Sequence, residues 1–439
     1  MPIKVAYDIS TLGADYGRPD AVTGINRVVS EVLDEISKRD DLEVSAVALH
    51  GDDPLDDCTK AALYLNTWKP AINCEVAYTY YPGPGLTTAY QAVFRAMHAT
   101  AVDPSQSRRP RAVSLRYLRS ALHRLAHYQR PLFPKRVVDR KQFDVFHCPH
   151  WMVPAQDRTG GLPRIFTIYD LIPIVRPEYV GDAHSAWFQQ LLNRIDVDRD
   201  WAISISEFTR MEFCERTGMS PERVTVAPLA AAAYFRPVND RDVIAATRLR
   251  YHVPEGEYLL CLAAPQPRKN LAQLIRSFFR LLDEQGRPDT HLVLAGSKGQ
   301  GWMYDEILAA AESSSKYKSR LIFTGFVAEE DLAALYSGAV AFVFPSLYEG
   351  FGLPALEAMA CGTPVITSST TSLPEVVGDA ALLVDPMDPD ALRDAMSTIL
   401  SDHSLRADLR RKGLLRATEF SWTRCAELTA GAYYRAVGS

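Results

Sequence analysis

The chain has 439 residues, of which 47% are hydrophobic and 23% charged, with a formal net charge of −5. This composition is typical of a globular protein, and the length favours two or more domains. No apolar stretch reaches the roughly 18 residues of a membrane span. Residues 1–7 enter a strand-like run without the apolar segment of a signal peptide, so we expect a cytoplasmic protein.

Seven cysteines are scattered along the chain without a C-x-x-C pair. Their odd number and spacing favour buried thiols over disulfides or zinc. The run His147-Cys148-Pro149-His150 offers three candidate metal ligands, but no fourth ligand follows at a usual spacing. We therefore predict no metal site.

Strand-like and helix-like patterns alternate along the whole chain, which predicts an α/β protein with parallel sheets. The predicted strands are Ile3–Tyr7, Val44–Leu49, Phe143–His147, Arg164–Ile168, Trp201–Ile205, Val224–Ala227, Tyr258–Ala263, His291–Ala295, Leu321–Thr324, Val340–Phe344, Val365–Thr367 and Ala381–Val384. The clearest amphipathic helices are Arg27–Ser37, Leu271–Leu282, Glu329–Ser337 and Pro389–Leu400.

A polar stretch from Phe235 to Gly256 separates two complete sets of strands. We therefore predict two doubly wound, Rossmann-like domains facing across a cleft, residues 1–238 and 239–419. Residues 420–439 have a helical pattern, and we expect this helix either to stay with the second domain or to pack back on the first.

Residues 106–141 form a basic segment with eleven Lys or Arg against one acid, Asp139. Within it, Leu115, Leu118, Leu122 and Leu125 recur at helical spacing, which predicts a helix with an apolar face. One interpretation is a surface for anionic lipid headgroups or a phosphorylated acceptor. The other is a solvated helix packed on its own domain. The overall acidity and the confinement of the patch argue against nucleic acid as a partner.

The segment Glu349-Gly-Phe-Gly-Leu-Pro-Ala-Leu-Glu357 follows the predicted strand Val340–Phe344 and places two carboxylates around a glycine turn. Gly350 and Gly352 permit turn geometry and close approach to a ligand, and Pro354 suits the first turn of a helix. Because helix N-termini present free N–H groups, this turn is a candidate phosphate site.

A second candidate lies at Pro265-Gln-Pro-Arg268-Lys269-Asn270, after the strand Tyr258–Ala263. Arg268 and Lys269 there suit the neutralisation of a diphosphate. By itself the segment is also consistent with a helix cap at Asn270 beside solvated bases. In combination with the glycine turn, it suggests that Glu357 binds the vicinal hydroxyls of a ribose, and that Glu349 faces the group carried by the diphosphate.

The ordered set of motifs resembles the signature of glycosyltransferase family four, which comprises retaining, sugar nucleotide-dependent enzymes of the GT-B fold. The resemblance covers Glu349–Glu357 with the following Ala358–Thr367 and Leu373–Ala380. It extends to further segments in both halves, namely Thr23–Ile25, Ser204–Phe208, Pro267–Asn270, Leu294–Gly296 and Phe323–Val327.

The resemblance implies roles for individual residues. Glu357 is expected to bind the ribose, Glu349 the donor sugar, and the backbone around Phe351, Gly352 and Leu353 the diphosphate, with Lys269 and Arg268 assisting. The loop Gly325-Phe326-Val327 is expected to meet the base, Gly24 to admit the donor phosphate, and Asp170 to face the reacting centre. No metal or other cofactor is implied, since cationic and backbone groups stabilise the leaving diphosphate.

Three positions depart from the family pattern. Tyr169 replaces a frequent His before Asp170, Ala263 replaces a frequent Arg, and Gly24 stands without a paired glycine. For Asp170 and Gly24, a helix cap and a turn glycine remain alternative explanations.

Together these features predict transfer of a hexosyl or deoxyhexosyl group from a nucleoside diphosphate sugar to a saccharide acceptor, with retention. The basic segment favours a lipid-linked acceptor in surface polysaccharide or lipopolysaccharide synthesis, with the protein peripheral at the inner face of a membrane. The alternatives are a sugar nucleotide epimerase of the same architecture and a catalytically silent nucleotide-sugar-binding subunit.

Overall fold

The structure is a computed structural model that describes residues 1–14, 24–48, 54–68, 72, 75–77, 84–101, 110–129, 138, 140–150, 153–264, 266–285, 289–296 and 304–438. Some residues of the predicted motifs lie outside these ranges, namely Thr23, Leu49 and Pro265, as do Arg108, Arg109, Arg130, Lys135, Arg136 and Asp139 of the basic segment.

The first half of the chain forms a parallel sheet of seven strands in the order β3-β2-β1-β4-β5-β6-β7. Its strands are β1 Ile3–Asp8, β2 Leu42–Val47, β3 Glu75–Ala77, β4 Val145–Cys148, β5 Arg164–Ile168, β6 Trp201–Ser204 and β7 Val224–Val226. The helices of this half are α1 Ser10–Ala14, α2 Gly24–Ser37, α3 Pro54–Trp68, α4 Pro84–Ala101, α5 Pro110–Gln129, α6 Ile172–Val175, α7 Asp182–Leu192 and α8 Glu207–Thr217.

The second half forms a parallel sheet of six strands in the order β10-β9-β8-β11-β12-β13. Its strands are β8 Tyr258–Leu262, β9 His291–Ala295, β10 Leu321–Gly325, β11 Ala341–Phe344, β12 Val365–Ser368 and β13 Ala381–Val384. The remaining helices are α9 Arg241–Arg250, α10 Leu271–Gln285, α11 Tyr304–Glu312, α12 Glu329–Gly338, α13 Leu353–Ala360, α14 Leu373–Val377, α15 Pro389–Ser401, α16 His403–Ala417 and α17 Trp422–Gly438.

Both sheets are doubly wound, and this topology decides where ligand loops meet. The strand order reverses between β1 and β4 in the first sheet and between β8 and β11 in the second. Ligands of such sheets bind outside the carboxyl ends of the strands at these switch points. The segments after β1, β8 and β11 carry Gly24, Arg268 with Lys269, and Glu349, so the predicted site residues lie at the switch points of both sheets.

The last helix returns to the first half of the chain. Helix α17 packs on α2 and on the strands β4 to β7. The Tyr433 side chain is fully buried there, and its hydroxyl lies 2.7 Å from Nδ1 of His147 in β4. The C-terminal residues therefore contribute to the core of the first sheet although they follow the second.

Helix α5 carries part of the basic segment, and its leucines differ in how far they are buried. Leu122 packs against the buried cluster of Leu63, Tyr90 and Phe94, whereas Leu118 and Leu125 are 48% and 49% exposed. Arg119 lies on the packed side, with its guanidinium 5.1 Å from the Phe94 ring centroid. The side of α5 that carries the leucines is therefore only partly covered by the protein. Among the described residues, no helix is both long and apolar enough to cross a membrane.

Candidate active site

The glycine turn after β11 leads into α13 with an open N-terminus. Gly352 has φ of +110°, a left-handed conformation that favours glycine, and a Cβ there would lie 2.6 Å from Leu373 Cδ2. Gly352 is the N-cap residue, and no side chain caps α13. Pro354 has no N–H, and Ala355 and Leu356 donate to the Gly352 carbonyl at 2.9 and 3.3 Å. The Leu353 N–H is therefore the group of the first turn that can meet an anion, which the helix dipole favours there.

Glu349 forms a buried cluster with two cations from the segment after β8. Its Oε1 lies 2.6 Å from Lys269 Nζ and 2.6 Å from Arg268 Nη1. Burial by itself would raise the pKa of Glu349, but Lys269 and Arg268 outweigh burial and lower it to about 2. Burial also lowers the pKa of Lys269, against the opposing effect of Glu349. Glu349 is therefore an ionised hydrogen-bond acceptor at neutral pH, not a proton donor.

Gly350 packs closely against the first half of the chain. A Cβ on this residue would lie 1.8 Å from the carbonyl oxygen of Tyr169 and 3.0 Å from Cβ of Asp170. The hydroxyl of Ser206 donates to the Gly350 carbonyl at 2.7 Å. Packing across the cleft is by itself enough to require glycine at this position. The presence of Gly350 is therefore no evidence that a ligand approaches it, and that contact stays a prediction.

The second glutamate of the turn, Glu357, is buried in α13 and paired with a residue of the first half. The Arg27 guanidinium in α2 donates to Glu357 Oε1 and also to Glu329 Oε1 at the start of α12. Tyr336 donates to Glu357 Oε2 at 3.4 Å. Burial and the nearby Glu329 raise the pKa of Glu357 to about 7, although Arg27 opposes the shift.

Arg27 is a site residue that was not predicted from the sequence. The available signal was its position one turn after Gly24, at the start of α2. Its pairing with Glu357, 330 residues away, depends on how the two domains face each other, which residue spacing does not contain.

Asp170 lies at the carboxyl end of β5 and lines a cavity of about 300 Å³ between the two halves, together with Ile25, Tyr179, His184 and Arg268. Burial raises the pKa of Asp170, and Arg268 opposes the shift. Asp170 Oδ1 also accepts from the Ile172 backbone at 3.0 Å, so the carboxylate supports the start of α6 as well. Asp170 can therefore line the cavity and accept from the Ile172 backbone at the same time.

Tyr169 also lines this cavity, but its hydroxyl already has a partner within the first half of the chain. Its hydroxyl donates to the carbonyl of Pro149 at 2.6 Å, and the side chain is buried. The tyrosine hydroxyl therefore does not replace the imidazole that many family members have at this position.

The remaining predicted contacts lie around the same cleft. Gly325 ends β10 with φ of +75°, and Phe326 beside it is 52% exposed while Val327 is buried. A Cβ at Gly24 would meet none of the described atoms within 4 Å, so packing against the described residues does not explain this glycine. An exposed aromatic ring suits stacking on a base, and an unhindered backbone suits close approach of a phosphate.

The four-residue His-Cys-Pro-His run divides between two environments. His147 uses both ring nitrogens within the protein, Nδ1 with Tyr433 and Nε2 with Thr167 Oγ1 at 3.0 Å. Cys148 and His150 lie beside Asp8, with one potential ligand atom from each residue within 4.8 Å of the others. His147 is thus occupied by the α17 contact, and the prediction that no metal is bound stays a prediction.

Two doubly wound parallel sheets, with the loops of both switch points meeting in one cleft, define the GT-B architecture of glycosyltransferases. A solved structure with this architecture, Anabaena HepE in complex with UDP, superposes with a TM-score of 0.62 at 17% sequence identity, covering 99% of this chain and 100% of that one.

Sequence comparison gives the family. The Glycosyltransferase Family 4 model matches residues 22–230, and the model for glycosyl transferases group 1 matches residues 251–416. O-antigen chain mannosyltransferase B of Escherichia coli is 32% identical over 311 residues, which cover 71% of this chain and 78% of that protein. The serotype-specific mannosyltransferase WbdA of E. coli is 36% identical over 275 residues, but this chain spans only 33% of its length. The chain belongs to glycosyltransferase family four and is a glycosyltransferase.

Proposed function

We propose that the protein transfers a hexosyl group from a nucleoside diphosphate sugar to a saccharide acceptor in surface polysaccharide synthesis, with retention of configuration. The observation that carries this proposal is the meeting of Lys269, Arg268 and Glu349 with the uncapped N-terminus of α13 at one end of the interdomain cleft. The names of the two E. coli relatives favour a mannosyl group.

The donor diphosphate is placed at the α13 N-terminus, against the backbone at Phe351, Gly352 and Leu353. Lys269 and Arg268 pair with Glu349, three residues before the N-cap of α13, and in this proposal they stabilise the charge that grows on the leaving phosphate as the glycosidic bond breaks. Glu349, ionised between them, accepts hydrogen bonds from hydroxyls of the transferred sugar.

The ribose is assigned to Glu357 and the base to Gly325, Phe326 and Val327. The acceptor is assigned to the cavity that Asp170 lines, because this cavity opens beside Arg268 and hence beside the leaving group. Transfer on one face of the sugar places the acceptor hydroxyl next to the departing phosphate oxygen, which takes its proton. None of these steps uses a metal or another cofactor.

The proposal is tested by incubating the purified protein with GDP-mannose, UDP-glucose or UDP-galactose and a mannose-terminated oligosaccharide that carries a fluorescent aglycone. We expect one donor to extend the acceptor, and NMR of the product to show the anomeric configuration of the donor. Lys269→Ala and Glu357→Ala should weaken donor binding, and unaltered affinity in both would contradict the site. Conversion of the donor to an isomer without acceptor would indicate an epimerase, and binding without turnover a silent subunit.

We further propose that α5 brings the protein to an anionic membrane surface, where a lipid-linked acceptor would lie. Tyr117, Leu118 and Leu125 are 72%, 48% and 49% exposed, and the helix carries several arginines. Exposed apolar side chains beside basic ones are typical of helices that lie in a membrane interface.

Co-sedimentation with phosphatidylglycerol vesicles tests this surface. At low salt we expect the wild type to sediment with these vesicles and not with phosphatidylcholine vesicles, and Leu118→Ser with Leu125→Ser to reduce the bound fraction. Leu415→Ser on α16, another exposed leucine at 62%, is the matched control. Failure of the wild type to bind anionic vesicles would overturn the membrane proposal and leave the transferase proposal intact.

A further inference from the structure

We propose that Arg27 of the first domain is a positioning residue of the donor site, which holds Glu357 of the second domain oriented and ionised for the ribose hydroxyls. The inference rests on the proposed donor site and deepens it: ribose recognition would require both domains in contact. If Glu357 acted without Arg27, the ribose would be bound by residues of the second domain alone.

The contact between the two residues is buried and directional. Arg27 Nη1 donates to Glu357 Oε1 while Nη2 donates to Glu329 Oε1, and the side chains of Arg27 and Glu357 are 14% and 5% exposed. The guanidinium also lies 5.6 Å from the Phe235 ring centroid, in the connection between the domains. Held at three points, Arg27 fixes the rotamer of Glu357 and leaves Oε2 with Tyr336.

The charge state of Glu357 depends on this contact. Its neighbours are Arg27 from α2, Glu329 and Tyr336 from α12, and Cys361 at the end of its own helix. Tyr234 faces Glu329 from the interdomain connection. Among the residues that the structure describes, Arg27 is the cation against Glu357, whereas burial and Glu329 both favour the protonated acid.

The ionised state is what the ribose needs. Two vicinal hydroxyls each have a proton to donate, and a carboxylate accepts at both oxygens, whereas a protonated acid has one oxygen occupied by its own hydrogen. With Arg27 in place the pKa of Glu357 is about 7, so roughly half of the carboxyl groups are ionised at neutral pH, and this share falls in mild acid. Without Arg27 the carboxyl would be protonated at neutral pH as well.

Calorimetric titration with GDP, UDP and ADP identifies the nucleotide that the wild type binds, and the same nucleotide and its 2′-deoxy form are then titrated against variants. At pH 7 we expect Arg27→Gln to weaken binding of the ribonucleotide about tenfold, as for loss of one charge-assisted contact. Binding of the deoxynucleotide should change less, and Arg27→Lys should restore part of the affinity.

The pH profile separates an electrostatic role from a structural one. Wild-type affinity should fall as the pH drops through about 7, since Glu357 takes up a proton. For Arg27→Gln the same fall should occur at higher pH, so that raising the pH recovers affinity. Glu329→Gln breaks the other half of the Arg27 contact but removes a like charge beside Glu357, and it should bind as well as the wild type or better.

Arg250→Gln on α9, which loses an ion pair with Asp331 but leaves Arg27, Glu329 and Glu357 unchanged, is the control and should bind like the wild type. Equal binding by Arg27→Gln would overturn the inference. Tighter binding would also overturn it and would show that Arg27 competes with the ribose for Glu357. Equal weakening by Arg27→Gln and Glu329→Gln would also overturn it, in favour of a strut between the domains. If the wild type binds none of the three nucleotides, the proposed donor function itself fails.

Discussion

Glu349→Gln tests the buried charge cluster at the centre of the site, because it removes one charge with little change of shape. Two cations lie 2.6 Å from Glu349, and the carboxylate is buried. A pKa lowered from 4.5 to about 2 corresponds to about 3 kcal/mol of stability near neutral pH. This contribution is complete above pH 4.5 and is lost as the pH falls towards 2, so the comparison belongs at pH 7.

For a domain of this size, 1 kcal/mol shifts the melting temperature by roughly 2–4 °C, so we expect a decrease of about 6–12 °C for Glu349→Gln. Urea denaturation should give the matching loss in free energy of unfolding. Glu178→Gln removes an exposed ion pair with Arg176 at 3.9 Å and should change neither measurement.

The same substitution should have the opposite effect on an anion. Lys269 and Arg268, no longer neutralised, should bind pyrophosphate more tightly, so that pyrophosphate raises the melting temperature of Glu349→Gln more than that of the wild type. A loss below about 1 kcal/mol, or equal stabilisation of both proteins by pyrophosphate, would refute the assignment of these cations to the diphosphate.

Two other substitutions test closure of the cleft and the core of the first domain. Gly350→Ala places a Cβ 1.8 Å from the Tyr169 backbone carbonyl oxygen, so the two halves must shift there; kcat/KM should fall by about 100-fold or more, and the melting temperature should fall as well. Gly438→Ala, whose Cβ would meet none of the described atoms within 4 Å, is the control, and wild-type activity in Gly350→Ala would contradict the closed arrangement. Arg164→Met leaves Asp200 buried without its bidentate partner and should lower the free energy of unfolding, measured by urea denaturation, by about 3–5 kcal/mol. The double variant Arg164→Met with Asp200→Leu should recover most of this loss. No recovery would show that lost packing, not the unpaired charge, is responsible.

The alternating patterns predicted most of the fold because buried parallel strands are continuous apolar runs, which a sequence displays directly. All twelve predicted strands are present. The missed strand β3, Glu75–Ala77, has three residues and lies at the edge of its sheet, so it carries too short a pattern to be noticed. Helix α5 was placed correctly, but its packing on α4 depends on tertiary contacts such as that between Arg119 and Phe94.

The site was predictable where local motifs carry it. The glycine turn and the Arg268-Lys269 pair were found by residue type and position. In the structure, Lys269 Nζ and Arg268 Nη1 each lie 2.6 Å from Glu349 Oε1. Contacts across the cleft were not predictable. Arg27 reaches Glu357 from a helix 330 residues away, and Gly350 is glycine because Tyr169 of the other domain packs on it. Such contacts depend on the relative placement of two domains, which no local pattern records.

A crystal structure of the protein with its preferred nucleoside diphosphate tests the central claim most directly. We predict the diphosphate at the N-terminus of α13 beside Lys269 and Arg268, with the ribose hydroxyls on Glu357. A nucleotide bound elsewhere in the cleft, or a diphosphate without contact to α13, Lys269 or Arg268, would contradict this account of the donor site.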